Sequence, residues 1–342
     1  MDFWQTIDKP IFALAPMEDV TDTVFREVIL SVSNPSALNV VFTEFTSTDG
    51  LLDSRGRGKV IERLYVSTSE KELLKTMNVR LVAQIWGSEP EKFSKAAKLI
   101  ADMQLFDGVD INMGCPVKKV IKNKSCSALI NHPNLAKEII QAAKEGSLLP
   151  VSIKTRIGFK SVITEEWMGH LLETSPSAII IHGRTQKMMS YGQVLWDEIG
   201  KAVTLRNESG SSARILGNGG VTSYPDGQSK IMQYGVDGVM LGTAVFHNPW
   251  LFNPSETEAG LEQRIDILQK HISLFEATWG KGKNFNILKR FFKIYLNGFR
   301  GAAEWRDRFM HSEDYSAAIQ LVNEFRETAL DLPQIKNQDI FQ

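Results

Sequence analysis

The residues equipped for chemistry sit just past short apolar runs. The stretch DGVDINMGCPVKKV, Asp107–Val120, delivers Asn112 and then Cys115, flanked by Gly114 and Pro116 and followed by Lys118 and Lys119. Elsewhere Glu44, Gln84, Lys154 with Arg156, His182 with Arg184, and Asn218 close comparable runs. A charged or amide group at a buried strand tip needs a partner, because an unpaired buried charge is costly. One such tip is ordinarily a satisfied structural group. Many at one rim favour a polar ligand held among them. Neither cysteine has histidines or cysteines at metal-ligand spacing, so no metal site is expected.

The elements that position these groups are eight apolar segments rich in β-branched residues. They are Ile11–Pro16, Val40–Phe45, Leu81–Trp86, Gly108–Asn112, Val151–Arg156, Ala178–Arg184, Ala213–Gly220 and Gly235–Gly242. Near-continuous runs of this kind suit strands buried on both faces. Helix-like stretches fill most gaps, clearest at Glu89–Asp102 and Pro133–Glu145, each with a proline near its start. Asp49–Ser69 reads as a long loop. Eight strand–helix repeats favour a closed (β/α)8 TIM barrel over an open sheet. Beyond Pro254 only amphipathic stretches appear, so residues 1–254 are expected to form the barrel and 261–342 a smaller all-helical domain.

Barrel active sites lie at the C-terminal ends of the strands, often with a phosphate site after strands seven and eight. Two glycine-bearing turns stand there: Gly217–Gly220, GNGG, and Leu241–Thr243, LGT. Glycine lets backbone N–H groups approach an anion closely. Gln84 both donates and accepts, which suits a ring edge bearing carbonyl and N–H groups. A phosphate joined to a flat amide-bearing ring describes flavin mononucleotide, FMN.

The bulk properties exclude several classes. The chain has 342 residues, 43% hydrophobic, with a net charge of −1, so nucleic-acid binding requires a local patch. Two cysteines argue against a disulfide framework and fit a reducing cytoplasm. The opening MDFWQTIDKP is unlike a signal peptide, and no apolar run reaches the ~20 residues of a membrane span.

With these residues in place, the chain resembles the tRNA-dihydrouridine synthases. The motifs are LAPMEDVTDTVFR, DxNMGCPVKKV, VSIKTRIG, IIHGRT, GNGG and VMLGTAVFHNPWLF, in that order. The resemblance implies FMN against Pro16 and Met17, with Gln84, Lys154 and His182 at the ring edge and ribityl chain. It implies a phosphate held by Asn218, Gly219, Gly220, Gly242 and Thr243. Asn112, Arg156 and Tyr191 would contact the target uracil, and Cys115 would donate a proton to its C5. NADPH would be the electron donor and tRNA the partner, bound by a monomer. A cysteine serves as acid because its thiol is protonated at neutral pH yet labile. Its neighbours are therefore expected to keep it neutral, with Lys118 and Lys119 turned toward RNA. Cys126 is given no role.

Three departures from the family pattern stand out. Thr243 stands where arginine is usual, and Arg184 is a candidate substitute. Glycines are usual near Ser125 and Cys126, and many members have glycine where Asp19 stands. In the tail, Lys281, Lys283, Lys289, Arg290, Lys293, Arg300, Arg306 and Arg308 interleave with Phe285, Phe291, Phe292, Tyr295 and Phe299. Helical spacing assigns most of those aromatics to the core and leaves the basic groups for phosphates. The residues also admit a reductase of free pyrimidines, a lyase using Lys154 as a Schiff base, and a non-catalytic RNA-binding module.

Overall fold

The computed structural model describes residues 2–255 and 259–329. Among them nine parallel strands form: β1 Ile11–Leu14, β2 Val40–Phe42, β3 Thr46–Ser47, β4 Arg80–Trp86, β5 Gly108–Met113, β6 Val151–Arg156, β7 Ala178–His182, β8 Arg214–Asn218 and β9 Gly238–Leu241. Pairing runs from β2 through β1, β9, β8, β7, β6 and β5 to β4. β2 also pairs β4, with Val40 beside Arg80, and this closes eight strands into a barrel. β3 only extends the edge of β4, with Thr46 beside Ile85. The fold is the (β/α)8 barrel that the alternation of apolar runs implies, followed by a helical C-terminal region.

The crossover helices begin where their caps dictate. Pro90–Asp102 and Pro133–Ser147 each open on proline, whose missing N–H costs nothing in a first turn. They bury Phe93, Ala96, Ala97 and Ile100, and Ala136, Ile139, Ile140 and Ala143, at the three-to-four spacing of one helical face. The span read as a loop, Asp49–Ser69, instead carries short helices at Thr48–Leu52, Arg57–Ile61 and Glu62–Leu64. Capping rather than apolar periodicity starts the flanking turns: Ser47 Oγ accepts from Gly50 N and Ser67 Oγ from Glu70 N.

Strand register decides which side chains enter the barrel, because a slip of one residue reverses every one. Gln84 faces Asp110, Asp110 faces Ser152, Asn112 faces Lys154, and Arg156 faces His182, which faces Asn218. The same parity brings in Ala13, Val40, Phe42, Val82, Ala178, Ile180, Leu216 and Met240, which form an apolar cluster with Phe3 and Trp4. Phe3 and Trp4 belong to a short helix, Phe3–Thr6, held by Arg214 Nε donating to the Trp4 carbonyl at 2.8 Å. Asp237, just before β9, accepts from Ile215 N at 2.8 Å and Arg206 Nη1 at 2.9 Å, and pairs with Lys9. The barrel interior is thus apolar toward one end and on the β1, β2, β7–β9 side, and polar where β4, β5 and β6 meet.

The chain divides into two compact units: Met1–Thr23 with Pro35–Gly242, and Val24–Asn34 with Thr243–Gln342. The second unit contains helices Leu261–Trp279, Asn286–Tyr295, Ala302–Met310 and Tyr315–Ala329. Phe285, Phe291, Phe292, Tyr295 and Phe299 are buried in it, as helical spacing requires. Lys281, Arg290, Lys293 and Arg300 are exposed on its surface. Residues 256–258 of the expected domain boundary and 330–342 of the expected helical domain lie outside the described residues. No described helix is long and apolar enough to cross a membrane.

Candidate active site in the barrel mouth

A hydrogen-bonded chain rises through the polar side of the barrel. At its floor the buried Asp110 carboxylate accepts from Ser152 Oγ and Gln84 Nε2, both at 2.6 Å. Burial pushes Asp110 up to about 6, opposed by these two donors and by the charge of Lys154. Because the Gln84 amide nitrogen is committed to Asp110, its oxygen is turned to accept from Asn112 Nδ2 at 3.0 Å. Asn112 Oδ1 in turn accepts from Gly114 N and Cys115 N, both at 3.0 Å. The turn that carries Cys115 is therefore fixed from below. Gln84 is wholly buried and sits a layer beneath the rim. Asn112 keeps one N–H for any further partner.

Four basic groups crowd the rim. Lys154 is lowered to about 8, first by burial and then by the charge of Arg156. No hydrogen bond or ion pair holds its ammonium among the described residues. Arg156 is buried and grips two loops: Nε donates to the Gly114 carbonyl at 2.6 Å, and Nη1 to the carbonyls of Met189 at 2.7 Å and Thr185 at 3.0 Å. Its guanidinium is lowered to about 10, mainly by burial. His182 is pushed down to about 2 by burial and by Lys154, Arg156 and Arg184, so its ring is neutral. Arg184 Nη1 lies 3.1 Å from His182 Nε2, while Nε and Nη2 donate to the Gly192 carbonyl at 3.0 and 2.8 Å.

Cys115 does not have the neutral setting expected for it. The thiol is lowered to about 6, first by the Cys126 side chain, then by the Val117 backbone N–H, Arg156 and Lys154, against the opposing effect of burial. Lys118 and Lys119 are not among the causes; both are exposed. Glu18 also faces this corner. Its carboxyl is raised by desolvation, and Arg63 Nη1 pairs with it at 2.5 Å. Arg63 further reaches Glu44 at 3.5 Å and Asp19 at 3.6 Å.

The glycine turn after β8 lies in the same corner as His182 and Arg184. Gly219 and Gly220 have φ of +106° and +72°, conformations that favour glycine. A Cβ on Gly219 would meet His182 Cδ2 at 2.6 Å. Asn218 is spent on the barrel, Nδ2 donating to the Met240 carbonyl at 2.8 Å. A Cβ on Gly242 would lie 3.7 Å from Met17 Sδ, which brings the β9 turn beside the β1 turn. Pro16 is buried and Met17 half-buried; Met17 N donates to Thr21 Oγ1 at 2.9 Å. Thr243 is exposed and opens a 3-10 turn, Thr243–Phe246. Tyr191 is 78% exposed in the loop beyond β7.

Sequence reasoning missed Asp110, Ser152, Arg63 and Cys126. For Asp110 the signal was present: it lies two residues before Asn112, and period-two geometry puts both on one face. Arg63 falls in the segment read as a loop, and Cys126 is brought to Cys115 by tertiary structure alone. No described group of three or more His, Cys, Asp or Glu is arranged to hold a metal.

The profile of the family described as Dihydrouridine synthase (Dus) matches residues 13–332. A probable tRNA-dihydrouridine synthase from Staphylococcus epidermidis is 40% identical over 326 residues, covering 95% of this chain and 96% of that relative. A probable tRNA-dihydrouridine synthase 2 from Bacillus subtilis is 39% identical over 332 residues, covering 96% and 98%. Among solved structures, a morphinone reductase in complex with tetrahydroNAD aligns at a TM-score of 0.45 and 12% identity, over 70% of this chain and 85% of that one. With the family profile spanning nearly its whole length, this chain belongs to the dihydrouridine synthase family.

Proposed function

We propose that this protein reduces a uridine of tRNA to 5,6-dihydrouridine, with FMN as its bound cofactor, NADPH as electron donor and Cys115 as proton donor to uracil C5. The observation that carries the reading is the fixed thiol. Asn112 binds the backbone N–H of Cys115, Arg156 grips the carbonyl one residue before it, and both side chains project from strands lining the mouth. A general acid must be held in one place to be effective, and this one is.

The residues present fit FMN. Gly219 and Gly220 offer consecutive N–H groups in left-handed conformations, a concavity suited to an anion. Arg184, beside His182, supplies the cation that Thr243 lacks. Asn218, Gly242 and Thr243 complete that corner, and Pro16 and Met17 flank it. The Lys154 ammonium supplies a donor without a partner among the described residues, and Gln84 and Asp110 orient the layer beneath. When bound, FMN supplies the hydride for uracil C6. Arg156, Lys154 and the spare Asn112 N–H stabilise the negative charge that then develops on the uracil. The exposed Lys281, Arg290, Lys293 and Arg300, with Lys118 and Lys119, serve as tRNA phosphate contacts. The target base must leave its stack to enter the mouth.

The test is Cys115→Ala. The variant should purify yellow and accept electrons from NADPH, but lose dihydrouridine formation by about 10²–10⁴-fold. The Cys115 thiol is protonated only below about 6. In the wild type kcat/KM should therefore fall about tenfold per pH unit above that value. Unchanged turnover in Cys115→Ala would remove the donor assignment.

A further inference from the structure

The chain makes a long excursion at the mouth of the barrel. Ser47 pairs with Trp86, the last residue of β4, so the excursion leaves the sheet at the C-terminal end of the strands. Between the buried Leu51 and Leu64 no residue is buried. A surface excursion this long is ordinarily a linker or a functional segment. This one is pinned at both ends. At its start Lys92 Nζ donates to Asp49 Oδ1 at 2.6 Å. At its end Arg63 reaches Glu18 at 2.5 Å, Glu44 at 3.5 Å and Asp19 at 3.6 Å, and Ser67 N donates to Thr23 Oγ1 at 2.9 Å. Arg63 is thus spent inside the protein, tying the excursion to the β1 turn and the tip of β2.

The outer part carries Arg55, Arg57 and Lys59, all exposed. Arg55 is 92% exposed although Asp53 lies 3.7 Å away. Arg57 and Lys59 have no ion pair or side-chain hydrogen bond among the described residues; Glu62 is the other exposed acid of the stretch. Gly58 lies inside the short helix Arg57–Ile61, and a Cβ there would meet nothing within 4 Å. Nothing within the protein therefore requires glycine where alanine favours the helix, whereas a bare backbone suits a partner that comes close. In the rim loop just past Cys115, Lys118, Lys119, Lys122 and Lys124 are exposed as well.

We propose that the excursion 53–62 is a rim arm that grips the RNA backbone beside the target uridine: Arg55, Arg57 and Lys59 contact phosphates, and Arg63 is the positioning residue that latches the arm to the rim. This rests on tRNA as the substrate. A strand that feeds one splayed base into the mouth must carry its neighbouring phosphates across the rim, and basic groups standing there meet them. The three carboxylates that Arg63 binds would repel that strand, and the latch masks them as it holds the arm.

The test titrates the purified full chain with an unmodified tRNA transcript at several salt concentrations and reads KM and kcat for dihydrouridine formation on the same transcript. In the triple variant Arg55→Gln, Arg57→Gln, Lys59→Gln, Kd should rise at least about tenfold near about 0.1 M salt, and the slope of log Kd against log salt should fall by about 2. KM for tRNA should rise with it, with kcat within about threefold of wild type. The variant Lys95→Gln, Lys98→Gln, Lys137→Gln removes the same charge from the outer helices and should leave Kd within about twofold. Arg63→Gln keeps every outer charge; it should raise KM for tRNA at least about fivefold and speed hydrogen exchange of the peptide spanning 53–62, with Arg63→Lys between it and wild type. An arm variant within about twofold of wild type in Kd with an unchanged slope, or an outer-helix variant that weakens binding as much as the arm variant, overturns the proposal. So does a folded Arg63→Gln with unchanged KM and exchange; if it does not fold, the same two readouts on Arg63→Lys decide. Wild-type protein that neither binds nor reduces the transcript would instead overturn tRNA as the substrate, and the role of the arm with it.

Discussion

Replacing Arg156 by lysine separates its grip from its charge. The guanidinium donates to three carbonyls, of Gly114, Thr185 and Met189, on two different loops. An ammonium on a shorter stem reaches one loop and releases the other. A hydrogen bond to a charged group is worth about 1.5–3 kcal/mol, so losing two costs about 3–6 kcal/mol of loop ordering. If that ordering is what holds Cys115 in place, kcat/KM falls by about 10²–10⁴. The positive charge stays, so the midpoint of iodoacetamide labelling of Cys115 against pH should move by less than in Arg156→Met, where it should rise. Hydrogen exchange of the peptides spanning 114–117 and 185–191 reads the loops directly, and both should lose protection in Arg156→Lys. A lysine variant within about threefold of wild type in kcat/KM, with unchanged exchange, would refute the clamp; that margin is under about 0.7 kcal/mol.

Gly219→Ala places a Cβ 2.6 Å from His182 in a backbone at φ +106°. FMN affinity by flavin fluorescence titration should drop about 10–100-fold, roughly 1.4–2.8 kcal/mol, and unchanged affinity would exclude this turn as the phosphate cradle. Asp237→Ala strips a buried carboxylate from Lys9, Arg206 and the Ile215 N–H, which should cost about 3–5 kcal/mol in urea unfolding. It lies at the opposite barrel end, so FMN affinity should not change; an unaltered unfolding midpoint would refute its anchoring role. Loading the protein with FMN should raise the labelling midpoint of Cys115, since an anion shares the cations that hold it near 6; a fixed midpoint would show that Lys154 and Arg156 do not respond to the ligand.

The barrel was legible because its strands are buried on both faces, and runs such as AIIIH and LVAQIW have little choice but to be central strands. The rim was legible for the same reason: a lysine or histidine ending such a run stands out. What the sequence hid is what needs a partner from far along the chain. Cys115 and Cys126 are eleven positions apart, and their segments are joined by Ser127 reaching back to the Cys115 carbonyl. The direction of the Cys115 shift was misread because Arg156 and Lys154 come from another strand, while the adjacent lysines point away. Two departures from the family pattern also gain a cause. Asp19 and Cys126 both have φ of +55°, so glycine is the relaxed residue at each position. Asp19 tolerates that conformation as aspartate does, and its N–H donates to Glu44 at 2.7 Å.

If Cys115 is the proton donor we propose, the charges of the mouth explain why one thiol can be both acidic and a useful acid. Lys154, Arg156 and Arg184 lie close enough that burial and mutual repulsion lower each of the first two and keep His182 neutral. From below, the carboxylate facing Lys154 is Asp110, itself pushed up to about 6 by burial. The rim therefore carries an excess of positive charge, and the thiolate of Cys115 answers part of it. An anionic ligand competes for the same cations. As it binds, their pull on Cys115 weakens and the thiol moves toward the protonated form that proton donation requires. In the proposed reaction, when the proton leaves, the electron pair stays on the sulfur of a residue whose backbone N–H is already held by Asn112. Asn112, Arg156 and Lys154 do not have to rearrange, so the stabilisation is in place before the charge appears, which is the condition under which electrostatic catalysis is most effective.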